Sequence, residues 1–241
     1  TFVLIVYFVF FSSIEFLLNF ADDDSFFYIK TAYNFSSGFG STFDRVGITN
    51  GYHPLWFLFL SAYFFLLNFF SVFTPELYYR YTVFLILLIN ILTLYFISLY
   101  FRNVSGQRSL SQSILLLPLF LTFVAIRDFG METHLLCLLI AVYLYAKSAE
   151  VSSGKNRIIL KGILLSLIFL TRIDYLFTVI PVIIISDYLV TLKQDRREFL
   201  ITSVSVLMIT AILYFSSNFF FFFFILPVTA KIKSTFPQTF L

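Results

Sequence analysis

Long intervals without a single charge decide what this chain can become. No Asp, Glu, Lys or Arg lies between Arg80 and Arg102, between Arg108 and Arg127, between Glu132 and Lys147, or between Glu198 and Lys231. A helix needs roughly 20 apolar residues to cross a bilayer. A backbone in hydrocarbon must also satisfy its own N–H and C=O groups, which favours helices here. The expected fold class is therefore an all-α polytopic membrane protein. Composition agrees, with 60% hydrophobic and 12% charged residues and a mean hydropathy of +0.94, far from the balance of soluble domains. The net charge of +3 is spread over loops with no basic stripe, which leaves nucleic acid out as a partner. A lone cysteine, Cys137, excludes an internal disulfide, and its apolar surroundings in sequence read as those of a buried structural thiol.

Eight candidate spans cover residues 1–20, 54–73, 80–101, 112–127, 132–147, 158–171, 175–192 and 199–217, and a phenylalanine block runs from Phe219 to Phe224. The runs 112–127 and 158–171 are short for a bilayer, which suits tilt, local thinning or a re-entrant path. Glu15 interrupts the first run and no basic segment precedes it, so that run is expected to be a retained helix and not a cleaved signal. Residues 1–241 read as a single transmembrane domain, the N-terminal core of a longer protein.

Lysine and arginine set the orientation. Arg102 and Arg108, then Lys147, Lys155, Arg157 and Lys161, then Lys193, Arg196 and Arg197 gather in short loops, the cytoplasmic signature. The turns at 127–134, at 172–174 and after Ser217 then belong to the opposite, external face. Strict alternation from a cytoplasmic N-terminus would put those turns inside. The charge bias recurs in three loops, so one segment between Pro54 and Ile126 is expected not to cross fully.

The one long polar connection, 21–53, interleaves Phe26, Phe27, Tyr28, Tyr33, Phe35 and Phe39 with Ser, Asn and Asp. Such a pattern suits a short helix at headgroup depth, ended by Gly38 and Gly40. At its start stand Asp22, Asp23 and Asp24, adjacent carboxylates able to supply a general base, a metal ligand or both; a solvated acidic flank is the alternative. At its end stand Asn50, His53 and Pro54. Pro54 fits the first turn of a helix, which leaves His53 and Asn50 as caps or as ligand-facing groups. Further on, Arg127, Asp128, Glu132 and His134 surround Gly130, and Arg172 and Asp174 occupy a very short link between apolar runs. Charges so placed face a cavity, a ligand or each other. Lys231 and Lys233 can hold a lipid phosphate or act as interfacial anchors.

Taken in order, several of these segments resemble a known group of proteins. Asp23-Asp24-Ser25-Phe26-Phe27-Tyr28-Ile29-Lys30, Tyr33-Asn34, Gly38-Phe39-Gly40, Thr42-Phe43-Asp44 and the run from Thr49 through His53-Pro54 to Trp56 resemble the first external loop of bacterial GT-C superfamily glycosyltransferases, of the protein mannosyltransferase and aminoarabinose transferase kind. Gly130-Met131-Glu132-Thr133, Leu170 to Asp174 and Leu226 to Ser234 resemble their later signatures. The resemblance implies a GT-C type helix bundle with the site beneath the first external loop, in a bacterial inner membrane and facing outward. It implies inverting transfer of a sugar from a polyprenyl-phosphate donor to a hydroxyl of a glycan, lipid or protein acceptor.

By the same resemblance, Asp23 matches the leading acid and general base, with Asp24 beside it and Asp22 an additional carboxylate. Asn50 and His53 border the sugar, Glu132 stands where some relatives carry a second acid, and Asp174 belongs to the substrate-binding set. Arg172, Lys231 and Lys233 would meet the donor phosphate, where developing charge needs fixed cations. Some branches use a divalent metal and others dispense with it. The rival expectations are a transporter or lipid-binding subunit, or a non-catalytic member of an assembly.

Overall fold

A computed structural model describes residues 2–70, 74–105, 128–148, 155–190 and 196–223. Within these the regular elements are helices: α1 Phe2–Phe11, α2 Ile14–Leu18, α3 Asp23–Ser36, α4 Pro54–Asn68, α5 Pro75–Ser105, α6 Thr133–Ser148, α7 Lys155–Thr171, a 3-10 turn Ile173–Leu176, α8 Val179–Val190 and α9 Arg196–Phe222. Only two isolated bridges, Ala21 with Phe129 and Thr42 with Ile48, pair extended backbone among the described residues. Among the described residues three helical stretches are long and apolar enough to cross a membrane: Pro75–Val104, Ile173–Val190 and Arg196–Phe222.

The apolar run 1–20 is not one span, as expected above, but two helices. Ser13 takes an extended backbone and accepts from Phe16 N, which starts α2 afresh. α5 begins at Pro75, several residues before the expected boundary at Arg80. Arg80 is 8% exposed inside that helix. Its guanidinium binds Glu76 at 2.8 Å and donates to the carbonyls of Val9 at 2.6 Å and Ser12 at 3.0 Å. A cation on the otherwise orphaned carbonyls at the end of α1 satisfies both partners. The expected span 112–127 lies outside the described residues.

α5 and α6 lie side by side in the same sense, joined by Asn90 Oδ1 to His134 Nδ1 at 3.0 Å, the rings of Phe96 and Tyr145, and Asn103 Nδ2 to Ser148 Oγ at 3.2 Å. α7 packs closely on α9 because Gly162 has no side chain; a Cβ there would stand 3.3 Å from Ser203 Cα. Small residues permit such approach where lipid offers helices no hydrophobic reason to associate. At the far end of α6, Asp187 of α8 is 1% exposed and binds Lys147 at 2.7 Å, Lys161 at 3.0 Å and the Tyr143 hydroxyl at 2.7 Å, tying α6, α7 and α8 together.

Arg102, Lys147, Lys161 and Arg196 therefore lie near one another at one end. Asn103, next to Arg102, reaches Ser148, next to Lys147; Lys147 and Lys161 share Asp187; and Arg196 donates to the Leu189 carbonyl. α4 packs along the first turns of α5. It starts at His53 beside Tyr28 and ends where Asn68 accepts from the Tyr78 hydroxyl, with Tyr63 Oη on the Tyr81 carbonyl between. Tyr78 precedes Asn103 by 25 positions of one helix, about 37 Å at 1.5 Å per residue. The Asn68 end of α4 thus lies far along α5 from Asn103.

Candidate functional site

The site is organised around the turn 128–132. Phe129 N donates to the Phe20 carbonyl at 2.9 Å, and its ring, fully buried, sits between those of Phe20 and His134. Gly130 has φ +113°, in the left-handed region where a side chain is strained. A Cβ at Gly130 would also fall 2.3 Å from the Cβ of Ser25. The indole N–H of Trp56 donates to the Gly130 carbonyl at 2.6 Å. Backbone from the first segment, a side chain from α3 and a side chain from α4 therefore fix this one turn.

Ser25 belongs to the first turn of α3, so the same contact fixes the acidic triplet. Asp22 is the N-cap of α3, its Oδ1 accepting from Asp24 N at 3.1 Å, and the Ser25 hydroxyl donates to the Asp22 carbonyl. Asp23 and Asp24 fill the first turn with exposed carboxylates, where the helix dipole favours negative charge. One turn on, Tyr28 is buried and its hydroxyl accepts from His53 N at 3.1 Å. Burial, then the neighbouring Glu132 carboxylate, pushes the Tyr28 phenol far above its ordinary range, with Asp24 adding to the effect.

Glu132 is the buried member, only 2% exposed. Its Oε1 lies 3.6 Å from His53 Nε2 and 3.8 Å from an Arg172 Nη, both longer than a hydrogen bond. Burial raises the Glu132 carboxyl above the usual range, although the Arg172 charge opposes the shift. Oε2 of Glu132 and Oδ1 of Asp128 are buried with no close hydrogen-bond partner among the described residues, and the Tyr28 hydroxyl interacts with the Glu132 carboxylate. Arg172 caps the 3-10 turn by position, reaches Asp174 Oδ1 at 3.4 Å and lies over the Tyr175 ring. Asp174 faces solvent.

Four of the expected groups thus meet at one end of the bundle: the acidic triplet through Ser25 and Tyr28, then His53, Glu132 and Arg172. His53 holds the cap position of α4, but its side chain makes no capping bond and turns to Glu132. Asn50, 2% exposed, lies in the loop just before it. His134 turns away, its ring bonded to Asn90 inside the bundle. Lys231 and Lys233 lie outside the described residues. No group of three or more His, Cys, Asp or Glu side chains is placed to hold a metal ion among the described residues.

The chain matches no family model, no curated protein and no solved structure.

Three residues of the site were not singled out for a role by sequence. Tyr28, Ser25 and Trp56 each look like ordinary interfacial or core positions. The available signal was spacing: Tyr28 follows Asp24 by four, the interval that puts two side chains on one helical face.

Proposed function

We propose that this protein is a membrane glycosyltransferase of GT-C type, moving a sugar from a polyprenyl-phosphate donor to an acceptor hydroxyl at the external face of a bacterial inner membrane. The observation that carries the reading is the packing of Ser25 on Gly130. It couples the first-loop acids to the turn bearing Glu132, and Glu132 in turn lies beside Arg172 from a distant link. In the reaction, an exposed carboxylate, Asp23, takes the proton of the acceptor hydroxyl. The acceptor oxygen forms a bond to the anomeric carbon from the face opposite the phosphate. The bond from that carbon to the phosphate oxygen breaks, and the lipid phosphate leaves with the electron pair. General-base help of this kind contributes roughly 10²- to 10⁴-fold in rate.

Arg172 offers a fixed cation to the departing phosphate, with Lys231 and Lys233 as its expected partners. His53, Asn50 and Glu132 line the side where sugar hydroxyls would need donors and acceptors, and the buried carboxylate oxygens of Glu132 and Asp128 suit hydroxyl donors. Asp22 is engaged in capping, which leaves Asp23 as base and Asp24 as its neighbour.

The test is turnover by purified full-length protein supplied with polyprenyl-phosphate sugars and candidate glycan, lipid and protein acceptors. Transfer by wild type, lost in Asp23→Asn with folding preserved, supports the reading. Absence of transfer with every donor and acceptor pair tried would turn the assignment toward a non-catalytic membrane subunit.

A further inference from the structure

The face of α3 opposite Tyr28 lines a second feature. Between α2, α3 and the first turn of α5 runs a groove of about 530 Å³ walled by Leu18, Phe26, Ile29, Tyr33, Phe43 and Tyr79, within the size of small-molecule sites, about 300–1,000 Å³. Leu18 is 39% exposed and Phe26 and Phe43 are each 40% exposed, so the wall is open along one side.

Two charged residues also line the groove, Lys30 and Glu76, and they differ in state. The Glu76 carboxylate is held by Arg80, at 2.8 Å from both Nε and a terminal nitrogen. Lys30 rests its ammonium 4.9 Å from the centre of the Phe43 ring and pairs with no carboxylate among the described residues. An apolar trough with one uncompensated cation at its edge is complementary to an amphiphile with an anionic head. A neutral hydrocarbon would leave the ammonium unanswered, and a zwitterionic lipid brings a cation of its own. Phe26, Ile29, Lys30 and Tyr33 project from α3 on the side away from Asp24 and Tyr28, so the groove is separate from the acidic site.

We propose that this groove holds an acyl chain of an anionic phospholipid from the surrounding membrane, with its phosphate on Lys30. Membrane-spanning helices put that ligand within reach, and the open side admits a chain laterally. The assignment does not depend on sugar transfer, and either can fail without the other.

Thermal unfolding of the full-length protein in detergent, with phosphatidylglycerol, phosphatidylcholine or a polyprenyl phosphate added, tests it. Phosphatidylglycerol is expected to raise Tm in a concentration-dependent way and phosphatidylcholine is not. Lys30→Gln should leave the lipid-free Tm in place and weaken the apparent phosphatidylglycerol affinity about tenfold, the factor set by one lost charge-assisted contact. An equal response to both phospholipids, an unaltered response in Lys30→Gln, or a response to polyprenyl phosphate alone overturns the proposal. If Lys30→Gln does not fold, wild type labelled with a photoactivatable phosphatidylglycerol decides: label on residues 26–33 and 75–79 supports the site, and label confined to other segments overturns it.

Discussion

Ser25 occupies the space that a side chain on Gly130 would need, with the two Cβ positions 2.3 Å apart. Because Gly130 also has a positive φ, two penalties coincide there. Gly130→Ala is expected to cost more than the about 1–3 kcal/mol of backbone strain alone and to displace α3 from the turn. The check is Tm and yield in detergent; a variant as stable as wild type would contradict the packing described.

Trp56→Phe keeps most of the ring and removes the N–H that serves the Gly130 carbonyl. A buried acceptor left unsatisfied costs about 1–3 kcal/mol. The expected result is a lower Tm and, if the acidic site acts as proposed, a lower kcat from a misplaced Glu132.

The three aspartates separate by substitution. Asp22→Asn keeps a good N-cap and should leave both stability and transfer near wild type, whereas Asp22→Ala should cost about 0.5–2 kcal/mol of stability. Asp23→Asn should leave Tm in place and reduce transfer by roughly 10² or more. If Asp22→Asn is the inactive variant and Asp23→Asn the active one, the base has been assigned to the wrong carboxylate.

Glu132 makes stability depend on pH in a definite direction. Its folded-state pKa is raised by burial, so the folded chain holds the proton more tightly than the unfolded chain. Stability contributed by the protonated group is present below the ordinary glutamate range and falls as pH rises from there through the raised folded value. Glu132→Gln cannot ionise and should remove that part of the slope. Unfolding measured across the pH range in both proteins checks the sign, and a wild-type Tm that climbs over this window relative to Glu132→Gln would show it reversed.

At the basic end, Asp187→Ala would leave the ammonium groups of Lys147 and Lys161 beside a buried space. Breaking one partner out of a buried pair typically costs about 3–5 kcal/mol. Loss of folded protein is expected there, and a neutral effect would mean that the cluster is solvated.

What the sequence made legible were local signals of charge and turn chemistry. The described uncharged runs form helices, and Gly38 and Gly40, with φ of +85° and +79°, do follow the end of α3. What it hid depends on partners far away in the chain. Arg80 looked like the edge of a span because a lone cation in an apolar helix is costly, yet carbonyls of α1 answer it. Ser13 broke a run that hydropathy alone joins. The packing of α4 on the first turns of α5 rests on Asn68 and Tyr63 meeting residues of α5, and no local pattern announces that contact. At the site, the nearby opposite charges of Arg172 and Asp174 were readable as a pair, whereas the contact of Arg172 with Glu132 joins distant segments and Tyr28 passed for an interfacial aromatic.

The guanidinium of Arg80 also bears on the order of assembly. Its acceptor on Val9 lies 71 positions earlier, and a ribosome adds residues one at a time from the N-terminus. The trailing end of α1 therefore waits, with its carbonyls unanswered by the protein, until Arg80 has been made.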